Sequence, residues 1–216
     1  MGRDVKRARP YDSPRRREQA AATRLAILEA AERLFQRNGY AATTIAAVAE
    51  EAAVALKTVY VAFETKAGIL RALWNLRLRG AQDAPPVAEH DWYRQVLEEP
   101  DPPRQLQLNA RNSRAGKERI GALVEIIRTA APADAQIEEL WTRIGSEYRD
   151  NQRTIVESLH RKRALRRGLD VDRAADILWT INHPAVWQLL VRERAWTSSE
   201  YERWCADLAC AQLLRG

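Results

Sequence analysis

The sequence predicts an all-α protein in two parts, a small three-helix domain with a helix-turn-helix and a larger helical domain after it. Three observations support this prediction. Apolar residues recur at helical spacing along most of the 216-residue chain, no segment alternates like a strand, and capping or breaking residues separate the segments. A chain of this length can hold either one large domain or a small domain plus a medium one.

The first two helices are indicated by their apolar spacing and their end signals. Helical periodicity begins at about Gln19 and stops at Asn38-Gly39, a pair typical of a helix end. Thr43 or Thr44 then offers an N-cap, because a hydroxyl can accept hydrogen bonds from the exposed amides of a first turn. We therefore expect a long first helix followed by a short second one.

The third and fourth helices follow after a tight turn. The turn lies at residues 53–55, and a third helix spans about residues 55–62 with Val59 and Phe63 facing inward. Thr65 can cap a fourth helix that runs to about residue 81.

The rest of the chain is divided by proline-rich breaks and by acidic or hydroxyl caps. The predicted helices are a short one around Trp92, one over 104–114, one over 120–127, a long one over 137–159, one capped by Asp170 or Asp172, and one capped by Thr197 or Ser198. His183-Pro184 interrupts the penultimate helix, because proline removes an amide donor and clashes with the preceding turn.

Three regions are predicted, and their charge differs. Residues 1–18 form a basic arm that is disordered when free, 19–66 the helix-turn-helix domain and 67–216 the larger helical domain. Residues 1–80 carry 15 Lys and Arg against 8 Asp and Glu, a net +7, whereas residues 81–216 carry 20 against 21, a net −1. The excess positive charge predicts contact with a polyanion. A solubilising basic tail is the alternative.

Several classes of protein are disfavoured by what the sequence lacks. Cys205 and Cys210 are the only cysteines and show no metal-ligand spacing, so no metal or cofactor is predicted. There is no apolar run of membrane-spanning length and no apolar N-terminal signal, which favours a cytoplasmic protein without a membrane partner. Glu157 and His160 match half of a di-iron motif without a second copy. We expect no enzyme; a helical-bundle enzyme using His160 or His183 is the disfavoured alternative.

Two short helices joined by a tight turn and supported by a longer first helix are the plan of a DNA-binding helix-turn-helix, whose second short helix lies in the major groove. Lys57 can donate to guanine or phosphate, and the hydroxyls of Thr58 and Tyr60 suit phosphate oxygens. Lys66 begins the next helix, where an anion is favoured. The predicted DNA contacts are Thr43, Thr44, Leu56, Lys57, Thr58, Tyr60, Val61, Lys66, Arg15, Arg16 and Arg17. The three arginines either enter a minor groove or form a solvated tail.

The stretch ATTIAAVAEEAAVALKTVYVAFETKAGIL, preceded by ILEAAERLFQRNGY, resembles the N-terminal signature of TetR-type transcriptional repressors. The resemblance covers about residues 20–70. It implies a sequence-specific repressor that binds a palindromic double-stranded DNA operator as a homodimer. It also implies a C-terminal domain whose last two helices pair across the dimer, and whose central helices enclose a pocket for a small molecule that releases the DNA.

The sequence departs from this signature in the turn and on the recognition helix. Ala53 stands where the family has Gly, and Ala55 where it has a Ser or similar cap, each change costing roughly 1 kcal/mol. Leu56 and Val61 are apolar where relatives carry donors. We therefore expect few hydrogen bonds to bases, with Lys57 as the main one and methyl contacts from Leu56 or Val61 to thymine.

Aromatic residues of the C-terminal domain suggest a ligand cavity near the proline break. Trp141 and Tyr148 share a face of the long helix, and the break can shape a pocket beside them. The predicted ligand contacts are Trp141, Tyr148, Trp179, Asn182, His183 and Trp187. Core packing is the favoured alternative for each aromatic, because aromatics dominate cores.

Apolar stripes on the last two long helices predict the dimer interface. The predicted interface residues are Ile181, Val186, Trp204, Leu208 and Ala211, because an exposed stripe of this kind normally marks an interface. Part of each stripe must also face its own subunit. A repressor released by a small apolar or amphipathic ligand is thus the favoured hypothesis. The alternative is a DNA-binding dimer without an inducer, whose C-terminal domain serves dimerisation or a protein partner.

Overall fold

The computed structural model describes residues 14–79 and 87–215. Their helices are α1 Pro14–Ala42, α2 Ile45–Glu51, α3 Leu56–Phe63, α4 Lys66–Arg79, α5 Asp91–Glu98, α6 Pro102–Ala130, α7 Ala135–Arg161, α8 Val171–Ile181, α9 Pro184–Trp187 and α10 Ser198–Leu213. Within these ranges there is no strand, only an isolated antiparallel bridge between Leu165 and Leu214. The predicted all-α class is confirmed.

The chain divides into two compact units, Met1–Ile69 and Leu70–Gly216. The division falls within α4, three residues after the boundary predicted at residue 66. In the first unit, α2 packs against both α1 and α3. Apolar side chains bury the contact faces of these helices, including Ile27, Leu28, Phe35, Val48, Ala49, Val59 and Phe63.

The turn between α2 and α3 closes without glycine. Ala53 adopts a left-handed conformation with φ 53°. The Ala53 amide donates to Glu50 O and the Val54 amide to Ala49 O, both at 3.0 Å, so the last carbonyls of α2 are satisfied as in a Schellman motif. Ala55 is the N-cap of α3 and offers no side-chain hydrogen bond. These backbone hydrogen bonds offset the strain of about 1–2 kcal/mol expected for Ala in this region.

The junction between α3 and α4 requires a glycine. Glu64 ends α3 with φ 61°, and Thr65 caps α4 by accepting a hydrogen bond from the Gly68 amide at 2.9 Å. A Cβ at Gly68 would lie 2.2 Å from Phe63 O, well inside contact distance. The close approach of two backbones therefore fixes glycine at this position.

The second unit buries one core. α6 packs along α10, and α7 packs along α8. Its largest fully buried side chains include Leu106, Ile155, Leu159 and Tyr201, with Leu178 and Leu213 also buried. Asp170 caps α8, which settles the choice between Asp170 and Asp172. Thr197 caps α10, and its own amide donates to the Glu200 carboxylate in return.

Two predicted element boundaries were wrong, whereas the predicted interruption at His183-Pro184 is confirmed. α1 begins at Pro14 and not at Gln19, because proline suits the first turn of a helix. Residues 104–114 and 120–127 belong to the single helix α6, whose polar middle hides the apolar period. The proline break is complete: α8 ends, α9 restarts at Pro184, and a π-helical turn covers Gln188–Glu193.

Two other predictions reach beyond the described residues. The part of the predicted arm before residue 14 lies outside them. So does the predicted end of the fourth helix at residue 81.

Candidate nucleic-acid interface and a buried polar cluster

The second short helix, α3, presents one face to solvent. Val59 and Phe63 are buried, as predicted. On the opposite side Leu56 is 43% exposed, Tyr60 48% and Val61 77%. Lys57 is also exposed and lies on the same short helix. A large apolar side chain as open as Val61 makes no contribution to the core, so this face is available to a partner.

The two threonines before α2 have different roles. Thr44 is exposed and caps α2, its hydroxyl accepting from the Ala47 amide at 3.1 Å. Thr43 is 1% exposed, and its hydroxyl donates to Gly39 O at 2.8 Å. The prediction that Thr43 contacts DNA through its side chain therefore needs correction. The side chain is buried, and its hydroxyl is hydrogen-bonded to the backbone at Gly39, where the helix is kinked. Thr58 is half-buried.

Lys66 holds the end of α1. Its ammonium donates to Tyr40 O at 2.8 Å, Thr43 O at 3.0 Å and Ala41 O at 3.4 Å, and it lies 4.2 Å from the Tyr40 ring centroid. Carbonyls at a helix end carry partial negative charge, which a lysine complements. A phosphate would compete with these carbonyls for Lys66, so its side chain has a structural role that the sequence did not indicate.

Arg15, Arg16 and Arg17 lie on the first turns of α1 and are exposed. The prediction of a disordered arm up to residue 18 is therefore corrected at residues 14–18. The arginines present their charge from a helix instead of an extended segment.

Sequence reasoning missed two contacts that hold the three-helix unit together. Arg24 donates to Ala62 O at the end of α3 at 2.5 Å and lies 4.0 Å over the Phe63 ring. Glu51 on α2 accepts from Arg33 at 2.9 Å and Arg37 at 3.1 Å on α1. The hydrogen bonds from Arg33 and then Arg37 lower the pKa of Glu51. Arg33 and Arg37 are four residues apart and therefore lie on one face of α1. This spacing was the sequence signal for a shared acidic partner.

A polar cluster lies inside the second unit, where four elements meet. The Lys117 ammonium donates to Ser113 Oγ, Ser113 lies 3.2 Å from the Tyr148 hydroxyl, and Tyr148 donates to Asn182 O at 2.8 Å. The Lys117 nitrogen lies 5.4 Å from the Tyr201 ring centroid and 5.9 Å from that of Tyr148. These contacts link α6, α7, the end of α8 and α10.

Several members of this cluster lack hydrogen-bond partners although they are buried. The unpartnered atoms are Trp187 Nε1, Tyr201 Oη, Asn182 Oδ1 and, nearby on α8, Trp179 Nε1. Trp187 packs edge-on against Tyr201 with ring centroids 4.9 Å apart. Buried polar atoms are normally satisfied, so such a concentration calls for an explanation.

Burial shifts the pKa values of the cluster strongly. Desolvation lowers the pKa of Lys117 to about 7, against a smaller opposing effect of Cys205. Desolvation also raises the pKa of Tyr148, Tyr201 and Cys205, which keeps all three neutral at pH 7. The pKa of His183 is lowered by burial first and then by the Lys117 charge.

Only some of the predicted ligand residues lie close together in the structure. Tyr148, Asn182 and Trp187 belong to the cluster, and His183 pairs edge-on with Trp179 at 4.7 Å beside it. Trp141 is half-buried two turns before Tyr148, and none of the cluster contacts described above involves it. Sequence reasoning missed Ser113, Lys117, Tyr201 and Cys205.

Two surface depressions in the described part of the chain lie elsewhere. One, of about 570 Å³, is lined by residues between α7 and α8 and by the chain end, including His160, Arg163, Arg167 and Arg215. The other, of about 540 Å³, lies along α7 between Ala135 and Ser146. Neither is lined by a predicted ligand residue. Over residues 14–79 and 87–215 there is also no group of side chains suited to a metal ion and no helix able to span a membrane.

The predicted dimer stripe is half-exposed in the single chain. Val186, Trp204 and Leu208 are partly buried against the core, and Ala211 is exposed. Ile181 is 6% exposed and its carbonyl accepts from the Cys205 thiol at 3.6 Å. The prediction that Ile181 lies in the interface therefore needs correction, because its side chain is already buried in its own subunit.

The three-helix unit with an exposed second short helix defines a helix-turn-helix protein. Residues 27–73 match the family model of bacterial regulatory proteins, tetR family. The HTH-type transcriptional regulator TtgR of Pseudomonas putida is 46% identical over 59 residues, which are 27% of this chain and 28% of TtgR. The likeness to tetR-family regulators is therefore shown for this N-terminal segment, and the chain matches less than a third of the relative's length.

The whole fold is shared with solved structures at lower identity. NalD, the secondary repressor of the MexAB-OprM multidrug efflux pump in Pseudomonas aeruginosa, superposes with a TM-score of 0.72 at 20% identity, over 92% of this chain and 98% of NalD. The SmeT–triclosan complex gives 0.70 at 19% identity, over 90% and 92%. At these identities the likeness establishes the fold, a helix-turn-helix domain followed by a larger helical domain.

Proposed function

We propose that this protein is a transcriptional repressor that binds a palindromic operator in double-stranded DNA as a homodimer. The observation that carries the proposal is the open face of α3, where Leu56, Lys57, Tyr60 and Val61 are exposed within the segment that matches the family. A helix of this size presenting a cation, a phenol and two apolar side chains fits the major groove.

Each residue of that face has a proposed role. Lys57 donates to guanine or to a phosphate, and the Tyr60 hydroxyl binds a phosphate. The side chains of Leu56 and Val61 contact thymine methyl groups. Arg15, Arg16 and Arg17 add phosphate contacts from the first turns of α1. Thr44 contacts the DNA backbone, and its hydroxyl also caps α2.

Selection of bound sequences from a random DNA pool tests the reading of bases. The wild type should yield a palindrome, and Lys57→Ala should relax the preference at one position of each half-site, with a loss of about 1–3 kcal/mol. Arg119→Ala is the matched control, since Arg119 is exposed on α6. An unchanged consensus with Lys57→Ala would contradict the assignment of Lys57 as base reader.

We propose further that a small apolar or amphipathic molecule releases the DNA. The unsatisfied buried atoms Asn182 Oδ1 and Trp187 Nε1, beside Tyr148, support this switch. SmeT, which shares the fold, was crystallised with triclosan. A ligand can act only if it binds two arrangements with different affinity, so operator binding must be measured with and without it.

A DNA-binding dimer without an inducer is the second candidate. It is favoured by the position of the two surface depressions, neither of which is lined by the predicted ligand residues. The two candidates are separated by thermal-shift screening of small molecules, followed by titration of the operator. If none of the compounds that stabilise the protein weakens operator binding, the hypothesis of a DNA-binding dimer without an inducer is supported.

A further inference from the structure

Lys117 lies in an environment that is unusual for an ammonium group. Its side chain is 6% exposed and lies on α6, one turn after Ser113, whose hydroxyl accepts its hydrogen bond. In the described part of the chain no carboxylate forms an ion pair with it. An ammonium taken out of water without a negative partner is costly, and a hydroxyl does not compensate its charge.

The groups that face Lys117 from the neighbouring elements carry no negative charge. They are Tyr148 on α7, His183 at the start of α9, and Tyr201 and Cys205 on α10. Burial keeps both phenols and the thiol protonated at pH 7, and the Lys117 charge disfavours a protonated His183. A water molecule in this place would satisfy hydrogen bonds but would leave the charge unpaired.

Two further donors in the same cluster have no oxygen or nitrogen acceptor, although the Tyr201 hydroxyl interacts with the Cys205 thiol, a weak acceptor. The Trp187 indole is 3% exposed and packs over α6, where a Cβ at Gly121 would lie 3.5 Å from its Nε1. The Tyr201 hydroxyl belongs to a fully buried side chain whose ring lies 5.4 Å from the Lys117 nitrogen. Asn182 Oδ1 is the one unpartnered atom of this cluster that can only accept.

We propose that this cluster binds the carboxylate of a small organic acid, with Lys117 as its positive partner and the Tyr201 and Trp187 donors completing its hydrogen bonds. The proposal rests on the ligand-responsive function above and specifies the chemistry of the ligand. A carboxylate offers two oxygens and about four acceptor sites, which suits three donors. It brings one negative charge to a site with one cation, whereas a phosphate monoester would bring a second charge without a partner.

Entry requires a side chain to move, and Trp187 is the best placed to do so. It ends the four-residue α9, between the proline break and the π-helical turn at Gln188–Glu193. Short segments flanked by breaks open more easily than long helices, and π-helical turns recur at functional sites. The aromatic walls of Tyr148, Tyr201 and Trp187 would then contact the apolar part of the acid.

The test is calorimetric titration of the whole protein at pH 7 with octanoate, and with octan-1-ol as a neutral ligand of the same chain length. We expect octanoate to bind at least tenfold more tightly than octan-1-ol, and this preference to disappear in Lys117→Met. Lys162→Met is the matched control and should keep the preference, because the Lys162 ammonium is bound to Glu99 O and Gln105 Oε1.

Three results would overturn the proposal: no binding of octanoate, equal binding of the acid and the alcohol, or an unchanged preference in Lys117→Met. Operator affinity, measured in parallel, keeps the two proposals apart. Octanoate that binds through Lys117 without weakening operator binding supports the anion site and contradicts the switch. A neutral ligand that releases operator DNA, with no acid preference, supports the switch and contradicts the anion site.

Discussion

At the scale of single residues, the first unit shows how backbone geometry selects small side chains. Gly68 has to be glycine because two backbones meet there, whereas Ala53 occupies a position that glycine would suit better. The sequence pointed to Ala53 through its departure from the family pattern. It gave no sign of Gly68, because that requirement arises from the approach of Phe63 O to the following helix.

Gly68→Ala should lower the free energy of unfolding by about 1–3 kcal/mol, since the new Cβ clashes with a backbone oxygen that has little freedom to move. Gly145→Ala is the control: Gly145 lies in α7 with nothing within 4 Å of a new Cβ, so the change should stabilise the helix by about 0.5–1 kcal/mol. Chemical unfolding measures both. Equal stability of the two variants would contradict the close approach at Gly68.

Ala53→Gly should raise the free energy of unfolding by about 0.5–1 kcal/mol. Relief of the left-handed strain at φ 53° outweighs the greater freedom that glycine gives the unfolded chain. Urea unfolding of the variant beside the wild type measures the gain. A loss of stability would mean that the Ala53 methyl group makes contacts worth more than the strain.

At the scale of elements, α6 was the largest departure from the sequence-based prediction. Its middle reads RNSRAGKER, which looks like a loop because no apolar residue marks the inward face. Lys117 and Asn109 take that place and are buried, so hydrophobic periodicity could reveal neither the continuous helix nor the cluster. By contrast, α8 and α10 were predictable from their caps and apolar positions, and α3 was predictable from its apolar positions alone.

Lys117→Met should stabilise the ligand-free protein, because it replaces an unpaired buried cation by an apolar side chain of similar length. Lys117 has a pKa of about 7 when folded and the ordinary value of 10.5 when unfolded. Between these values the unfolded chain binds more protons, so wild-type stability rises with pH over that range.

The gain from Lys117→Met should therefore be largest at pH 7 and below, on the order of a few kcal/mol, and should shrink toward pH 10. Thermal unfolding at several pH values measures the difference between the two proteins. A difference that does not depend on pH would show that Lys117 keeps its charge when folded.

At the scale of the whole molecule, the proposed repressor needs two copies on one operator, because palindromic half-sites are read by symmetric dimers. The half-exposed side chains of Val186, Trp204 and Leu208 are the proposed contact between the copies. The sequence predicted this stripe but not its division between core and surface, since the burial of Ile181 depends on how α8 and α10 pack.

Leu208→Glu should produce monomers or aggregates in light scattering, because a charge would be buried in the proposed interface. Leu25→Glu is the control, since Leu25 is 39% exposed on α1 and belongs to the first unit. It should leave the assembly unchanged. A normal dimer of the Leu208 variant would place this residue outside the interface.

The open apolar face of α3 has a calorimetric consequence for the proposed binding to operator DNA. Covering Leu56 and Val61 removes apolar surface from water, which makes the heat-capacity change of association negative. The binding enthalpy should therefore become more favourable as the temperature rises. Val61→Thr keeps the shape of the side chain while adding a hydroxyl, so its enthalpy should vary less steeply with temperature than that of the wild type.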